Sequence, residues 1–251
     1  MPRFAPLSIH MPTTSITSTL CPTGKLRAAI NLGNPILANV NPATNQPFGV
    51  SVDLAQELAG RLGVELELVV VTGAAKSVAA LNDQSADVGF FAIDPLRGAE
   101  IAFTAPYVLI EGCYLVPTDS TIQTNADVDK AGVRVAVGTG SAYDLFLTRE
   151  IKNAQIVREA NVAGVVDAFL AQKLEVAAGI KQTLQTSAQQ LPGLRLLDGH
   201  FMVIEQAMGV PKRFGAEAAA YVSAFVEEMK ASGFVAQAMA RHGIKGASVA
   251  P

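Results

Sequence analysis

Three short segments carry polar side chains with which this chain could bind a small charged molecule. The first is Asp-Pro-Leu-Arg at 94–97, which follows a strongly apolar stretch. Asp94 can cap a turn that begins at Pro95, and such a turn would hold Arg97 in a fixed place. A guanidinium presents a planar fork of N–H groups that matches a carboxylate. The alternative is a surface Arg97 that pairs with Asp94 or Glu100.

The second segment is Gly-Thr-Gly-Ser-Ala at 138–142, between an apolar stretch and a helical pattern. Glycines let backbone N–H groups approach a ligand, and a helix N-terminus favours an anion. Gly140 and Ser141 are therefore candidate ligand-binding residues. The segment has neither the Gly-Lys-Ser/Thr of a phosphate-binding loop nor the glycine spacing of a dinucleotide-binding turn.

The third segment is Asn-Leu-Gly-Asn-Pro at 31–35, at the end of the first predicted strand. The amide of Asn34 could donate and accept hydrogen bonds in a cleft. The alternative is a simple turn residue, and the sequence leaves both interpretations open.

The composition excludes several classes of protein. Of 251 residues, 50% are hydrophobic and 16% are charged, and no apolar run reaches the ~20 residues of a membrane helix. The net charge is −3 and the basic residues are scattered, so we expect no nucleic-acid partner. The three histidines lack zinc-ligand spacing, and no nucleophile or paired-carboxylate motif is present. We therefore predict no catalytic residue, no metal and no cofactor. Cys113 lies in an apolar run, so we expect it to be buried as a small hydrophobic residue.

Predicted strands and helices alternate along the chain. Strands are predicted at 26–32, 64–71, 88–91, 133–137, 155–158 and 176–179, and helices at 51–62, 76–81, 141–148, 162–171, 182–190, 216–231 and 234–241. Ser51 is the expected N-cap of the first helix, Gly63 its expected end, and 64–71 a buried strand. This order predicts an α/β fold with two parallel β/α units and helices on the faces of the sheet.

Two long extended stretches at 108–116 and 202–210 bound the second unit, and they are natural crossovers between two lobes. We assign 24–111 plus 207–251 to the first lobe and 112–206 to the second. Residues 1–23 are expected to form a disordered or loosely held tail, and the residues from 243 onward a polar tail. Residues 1–24 lack the apolar run of ~7–15 residues that a secretion signal requires.

The order of these motifs resembles family 3 of the solute-binding proteins of polar-amino-acid ABC transporters, across residues 24–243. The resemblance rests on Lys25 to Arg27, Gly-Val-Ser-Val-Asp-Leu at 49–54, Asp87 and the strand after it, Asp-Pro-Leu-Arg at 94–97, Phe-Thr-Ala-Pro-Tyr at 103–107 and Met-Lys-Ala-Ser-Gly-Phe at 229–234. It implies a type II periplasmic-binding fold, in which a two-strand hinge joins two lobes. It also implies a small carboxylate ligand, a periplasmic location and, if the chain is exported, an ABC-transporter permease as partner.

The resemblance also assigns roles to particular residues. It implies that Arg97 grips the α-carboxylate of the ligand, and that the turn at Gly140 and Ser141 helps to hold the same group. Ala92, Asp94 and Asn34 complete the candidate ligand-binding residues of the first lobe.

Two departures from the family's pattern concern the charge of the ligand. An aspartate that receives the α-ammonium usually ends the strand at 176–179, whereas Ile180 and Lys181 stand here. The aromatic residue that often stacks on the ligand is missing from 34–37. Lys181 beside Arg97 would favour a more anionic solute, unless Glu205 takes over the ammonium. Lys181 and Glu205 are therefore also candidate ligand-binding residues.

Three functions are open at this point. The first is a monomeric solute binder for ABC transport. The second is an enzyme on the same fold, similar to the cyclohexadienyl dehydratases, although the expected position in the second lobe carries no catalytic acid. The third is a cytoplasmic ligand sensor, which the missing apolar run at the N-terminus suggests.

Overall fold

The computed structural model describes residues 13–160 and 162–251. The helices are α1 Thr14–Leu20, α2 Val50–Leu62, α3 Ala74–Asn82, α4 Ala142–Glu150, α5 Val165–Ala171, α6 Lys181–Gln190, α7 Gly215–Ala231 and α8 Phe234–Arg241. The strands are β1 Lys25–Asn31, β2 Asn39–Val40, β3 Pro47–Phe48, β4 Glu65–Val71, β5 Val88–Ala92, β6 Ile101–Pro117, β7 Arg134–Gly138, β8 Gln155–Glu159, β9 Val176–Ile180, β10 Leu194–Leu196, β11 Met202–Pro211 and β12 Ser248–Val249. Each predicted helix and strand is present, and its ends agree with the prediction to within a few residues.

Within the described part of the chain, the main sheet has 10 strands, with the order β4-β1-β5-β11-β6-β9-β7-β8 and with β10 and β12 paired to β6. Strand β1 is parallel to β4 and β5, and β7 is parallel to β8 and β9. Strands β6 and β11 lie between these two groups and run antiparallel to their neighbours. We call β1, β4 and β5 with their helices the first lobe, and β7, β8 and β9 with theirs the second lobe.

The two long central strands connect the lobes, as the extended stretches predicted. Strand β6 pairs with β11 from Ile101 to Gly112, and then with β9 from Gly112 to Leu115. It begins at residue 101, earlier than predicted, and therefore spans both lobes. The pairing of β11 with β6 shifts register on either side of Ala207. Such bulges bend a strand and increase its local twist.

The two lobes contain the same arrangement of one arginine and one carboxylate. Asp87, directly before β5, accepts hydrogen bonds from the backbone N–H and the guanidinium of Arg27 on β1, at 2.6–3.0 Å. Glu175, directly before β9, accepts the same set from Arg134 on β7, at 2.8–2.9 Å. In both cases the carboxylate joins two neighbouring parallel strands of one lobe. We call these contacts the strand clamps.

Both ends of the chain differ from expectation where the structure describes them. Residues 14–20 form α1, whose buried Ile16 and Leu20 pack toward α7, so this part of the predicted loose tail is ordered. Residues 1–12 lie outside the described part. Near the other end, β12 pairs with β6, where the sequence predicted only a polar tail. Short elements of this kind carry too little periodicity to be read from the sequence.

Of four local predictions, two are wrong and two are confirmed. Gly49, not Ser51, precedes α2, and Ser51 is buried within the helix. Strand β4 lies at the edge of the sheet and exposes Glu65, Glu67 and Val70, so it is not fully buried. Gly63 ends α2 in the left-handed conformation, as predicted, and Cys113 is buried. No helix among the described residues is long and apolar enough to cross a membrane.

Candidate functional site

The ends of β5 and β7 meet between the lobes, where a small inner cavity opens. Parallel strands leave their carboxyl ends at one edge of the sheet, and ligands of open α/β sheets bind there. The inner cavity has a volume of about 50 Å³, which is space for one or two water molecules at ~30 Å³ each. Its lining includes Asn34, Ala92, Arg97, Ser141, Ile180 and Gln206.

Arg97 is held by the turn that the sequence predicted. The Asp94 carboxylate accepts a hydrogen bond from the Leu96 N–H at 2.9 Å, and the Asp94 carbonyl accepts one from Gly98. Arg97 begins a 3-10 turn directly afterwards and is only 5% exposed. Its guanidinium donates to the carbonyls of Ala92, at 3.0 Å, and Gly140, at 2.8 Å. Its charge is therefore buried against neutral partners.

The environment of Arg97 suits an anion. Burial lowers the pKa of Arg97, and the nearby Asp94 charge acts in the opposite direction. The two hydrogen bonds occupy two of the five N–H groups of a guanidinium. Within the described part of the chain, Arg97 is the one charged residue that lines the inner cavity. A buried charge without a counter-ion is unfavourable, and a carboxylate that entered the cavity would supply the counter-ion for Arg97.

The turn at Gly140 and Ser141 faces Arg97 from the second lobe. Gly140 adopts a left-handed φ of +70°, and its N–H donates to the Asp144 carboxylate at 2.8 Å. Ser141 caps α4, because its Oγ accepts from the Asp144 N–H at 3.1 Å. The N-terminus of α4 thus lies at the cavity and favours negative charge there. Burial raises the pKa of the neighbouring Tyr143 to about 12, so its phenol stays neutral at pH 7.

Asn34 lies on the first-lobe side of the same cavity. Its Oδ1 is buried and has no hydrogen-bond partner among the residues that the structure describes. A buried acceptor without a partner is unfavourable, so this amide is suited to a polar ligand group. This supports the interpretation of Asn34 as a cleft residue over the simple turn residue.

Four predicted residues do not line the inner cavity: Gly140, whose carbonyl accepts from Arg97, and Lys181, Glu205 and Asp94. Lys181 begins α6 and bonds to Glu111 rather than standing beside Arg97; that hydrogen bond is the main reason why the pKa of Lys181 is raised and the pKa of Glu111 is lowered. Glu205 is exposed, and its strand neighbours face the cavity instead. Glu205 therefore lies outside the inner cavity, and the suggestion that it receives an ammonium stays a prediction. Asp94 holds the turn and pairs with Arg149 at 2.8 Å.

Two further residues line the cavity: Gln206, which sequence reasoning missed, and Ile180, which it named only for the acid that is missing there. Ile180 ends β9 and Gln206 lies at the bulge of β11, and both are buried and line the cavity. Glu205 and Gln206 are the two polar side chains of β11, and the sequence does not say which of them faces the cavity. In the described ranges, no group of three or more His, Cys, Asp or Glu side chains could hold a metal ion.

The lobes contact each other at this site. The bond from Arg97 to the Gly140 carbonyl and the ion pair between Asp94 and Arg149 both connect first lobe to second. A Cβ added to Gly140 would lie 3.0 Å from the Cβ of Ala75, at the start of α3. The inner cavity is therefore small because the lobes are close together.

Comparison with known proteins places the chain in a defined group. The model of the bacterial extracellular solute-binding proteins, family 3, matches residues 26–244. Among curated proteins, no sequence relative was found. Similar solved structures include a mutant of ArgBP from T. maritima, with 22% identity over 92% of this chain and 100% of that chain and a TM-score of 0.76. An amino acid ABC transporter substrate-binding protein from Streptococcus pneumoniae, bound to L-arginine, has 19% identity over 91% and 98% and a TM-score of 0.73.

A third similar structure bears on the enzyme alternative. It is the ancestral amino-acid-binding protein AncCDT-1, a precursor of cyclohexadienyl dehydratase, with 20% identity over 91% of this chain and 99% of that chain and a TM-score of 0.73. At these identities the likeness shows the fold, which is the type II periplasmic-binding fold that the sequence predicted.

Proposed function

Because the chain belongs to the bacterial extracellular solute-binding proteins, family 3, we propose that it binds the carboxylate of a small solute between its lobes for uptake by an ABC transporter. The observation that carries this proposal is Arg97. Its guanidinium is buried, faces the inner cavity, and bonds only to carbonyl groups in the described structure. A bidentate carboxylate is the partner that best matches its remaining N–H groups.

The ligand is a carboxylate without an α-ammonium group. The lining of the inner cavity contains no acidic residue within the described chain, and Ile180 is apolar at the end of β9. An ammonium buried there would have no charged partner, which is strongly unfavourable. Asn34 and Gln206 offer neutral amides, which suit a hydroxyl or a keto oxygen. The arginine named for one similar structure is thus a different kind of ligand from the one proposed here.

Entry of the ligand requires the lobes to separate. A cavity of about 50 Å³ is well below the ~300–1,000 Å³ of ordinary small-molecule sites. Strands β6 and β11 serve as the hinge, and the predicted division at residues 111 and 207 places it near the bulge at Ala207. Closure then brings the Ser141 turn onto a carboxylate already held by Arg97.

The enzyme alternative has no support from the site. The cavity lining of the described chain has no histidine and no carboxyl group that could transfer a proton to a substrate. A monomer in the periplasm completes the proposal, with the transporter permease as its partner. Cell fractionation of the native protein and its mass in solution test these two points.

Calorimetry with a matched panel tests the ligand class. Lactate and pyruvate share the carbon skeleton of L-alanine, and propanoate lacks the α-substituent. We expect at least one of these three acids to bind measurably more tightly than L-alanine. Tight binding of L-alanine and no binding of the acids would overturn the proposed ligand class. Arg241→Ala, on α8 and outside the cavity lining, is the control variant, and it should bind like the wild type.

A further inference from the structure

A second, larger space adjoins the inner cavity. It has a volume of about 670 Å³ and lies between the segment 32–35 of the first lobe and α5, β9 and α6 of the second. It shares Gly33, Tyr143, Val162 and Ile180 with the inner cavity, so the two are continuous. We call this space the outer groove. Its volume lies within the range of ordinary small-molecule sites.

The lining of the outer groove is mainly apolar. Its floor is formed by buried side chains of α5, β9 and α6, among them Val165, Ala178 and Leu184. Val166 and Leu191 are half-buried on its walls. Asp167, at the exposed edge, is the one charged residue of the lining in the described chain. Such a surface favours a hydrocarbon group, and its one charge, Asp167, lies at the exposed edge.

Ile180 stands where the two spaces join. It is the last residue of β9, and it lines both the inner cavity and the outer groove. A chain that leaves a carboxylate at Arg97 would therefore pass an apolar side chain and enter an apolar groove. Arg97, Ser141 and Asn34 offer polar contacts to a carboxylate in the inner cavity, whereas the polar residues of the outer groove include no cation in the described chain.

We infer that the outer groove binds the hydrocarbon tail of the solute whose carboxylate Arg97 holds, so that the ligand class is an amphiphilic monocarboxylate. This inference rests on the proposed function. The carboxylate lies in the inner cavity and the tail runs past Ile180 between α5 and α6. A charged group fits the floor of this groove poorly, because the buried apolar side chains there would desolvate the charge without a partner.

The affinity of straight-chain carboxylates tests the inference. Each methylene that enters the groove should increase the affinity about fourfold, the factor that corresponds to ~0.8 kcal/mol per buried CH₂. Calorimetry from propanoate to octanoate should therefore show a steady increase in affinity. Equal affinity along the series would overturn the inference and leave the proposed function intact. Failure of every carboxylate to bind would overturn both.

Paired variants on α6 locate the tail. Thr183 is exposed and lines the outer groove, whereas Thr186, also exposed on α6, does not line it. Thr183→Asp should reduce the octanoate-to-propanoate affinity ratio at least tenfold, while Thr186→Asp should leave the ratio at the wild-type value. Equal ratios in the two variants would place the tail elsewhere and overturn the inference.

A second pair of variants, on α5, shows whether the effect is specific to α6 or common to both walls of the groove. Val166 lines the groove and Leu170 is exposed outside it on the same helix. Val166→Asp should reduce the same ratio, and Leu170→Asp should not. Circular dichroism of each variant verifies folding, and retained propanoate binding shows that the carboxylate site is intact. An unchanged ratio in folded Val166→Asp and folded Thr183→Asp would refute the groove as the tail site.

Discussion

Replacement of Arg97 by alanine is the most informative change to the candidate site. The side chain is 5% exposed, and its guanidinium donates to the Ala92 and Gly140 carbonyls. The substitution removes the proposed carboxylate contact and one of the bonds between the lobes. Lysine at the same position keeps the charge but loses the planar fork, so it should recover only part of the affinity.

The size of the effect follows from the bonds that are lost. A hydrogen bond to a charged group contributes about 1.5–3 kcal/mol, and a bidentate carboxylate makes two that share one ion pair. We expect a loss of roughly 2–4 kcal/mol, or about 30- to 1,000-fold in affinity. The free energy of unfolding should change by only about 1 kcal/mol, because the loss of two hydrogen bonds is offset by removal of a buried, unpaired charge.

Calorimetry with the tightest-binding carboxylate of the panel measures the affinity, and thermal unfolding measures stability. Arg97→Lys should lie between wild type and Arg97→Ala in affinity. If folded Arg97→Ala binds as tightly as the wild type, the ligand is held elsewhere and the assignment of the site is wrong. If the alanine variant does not fold, Arg97 is a structural residue and the reasoning about its unpaired charge fails.

Three further changes test the geometry around the site. Gly140→Ala and Gly132→Ala both force alanine into the left-handed region, at a cost of about 1 kcal/mol. Of the two, only a Cβ at Gly140 meets a neighbour, the Cβ of Ala75 at 3.0 Å. Calorimetry should therefore show weaker ligand binding for Gly140→Ala and not for Gly132→Ala. Arg149→Ala removes the interlobe ion pair with Asp94. Because the Arg149 side chain is 42% exposed, the equilibrium constant between open and closed lobes should change by at most about fivefold. Solution scattering should then give a larger radius that ligand reduces, and an unchanged radius in both cases would contradict hinge closure. The pKa of Glu175 is lowered mainly by its hydrogen bond from Arg134. The ionised carboxylate therefore stabilises the folded state above the ordinary pKa of 4.5, and this contribution is lost as the pH falls through the lowered pKa. The melting temperature of Glu175→Gln should therefore fall less than that of the wild type between about pH 7 and about pH 3, and equal falls would exclude a linked role for Glu175.

The order of the elements was predictable because it depends on local patterns. Apolar strands and amphipathic helices of ordinary length gave the two β/α units, and the match at 94–97 identified Arg97. The turn at Gly140 and Ser141 was also found, since strand, glycine and helix cap follow one another directly in the sequence. These features need no knowledge of distant contacts.

The direction of individual side chains was not predictable in the same way. Glu205 and Gln206 are neighbours, yet only Gln206 faces the inner cavity, because strand alternation and the bulge in β11 decide which side each occupies. Lys181 donates a hydrogen bond to Glu111, 70 residues away in the chain, and does not lie beside Arg97 in the cavity lining. Such pairings depend on the register of β6 against β9, which the sequence pattern does not specify.

The strand clamps determine where the molecule is stiff. Each clamp joins two strands of the same lobe through three hydrogen bonds, so neither has to break when the lobes separate. The compliant part is then the long pair β6 and β11, whose register is already irregular near Ala207. In the proposed opening, each lobe rotates as a rigid body about this pair of strands. Rotation at the hinge therefore changes the separation of Arg97 and Ser141 without deforming either half of the site.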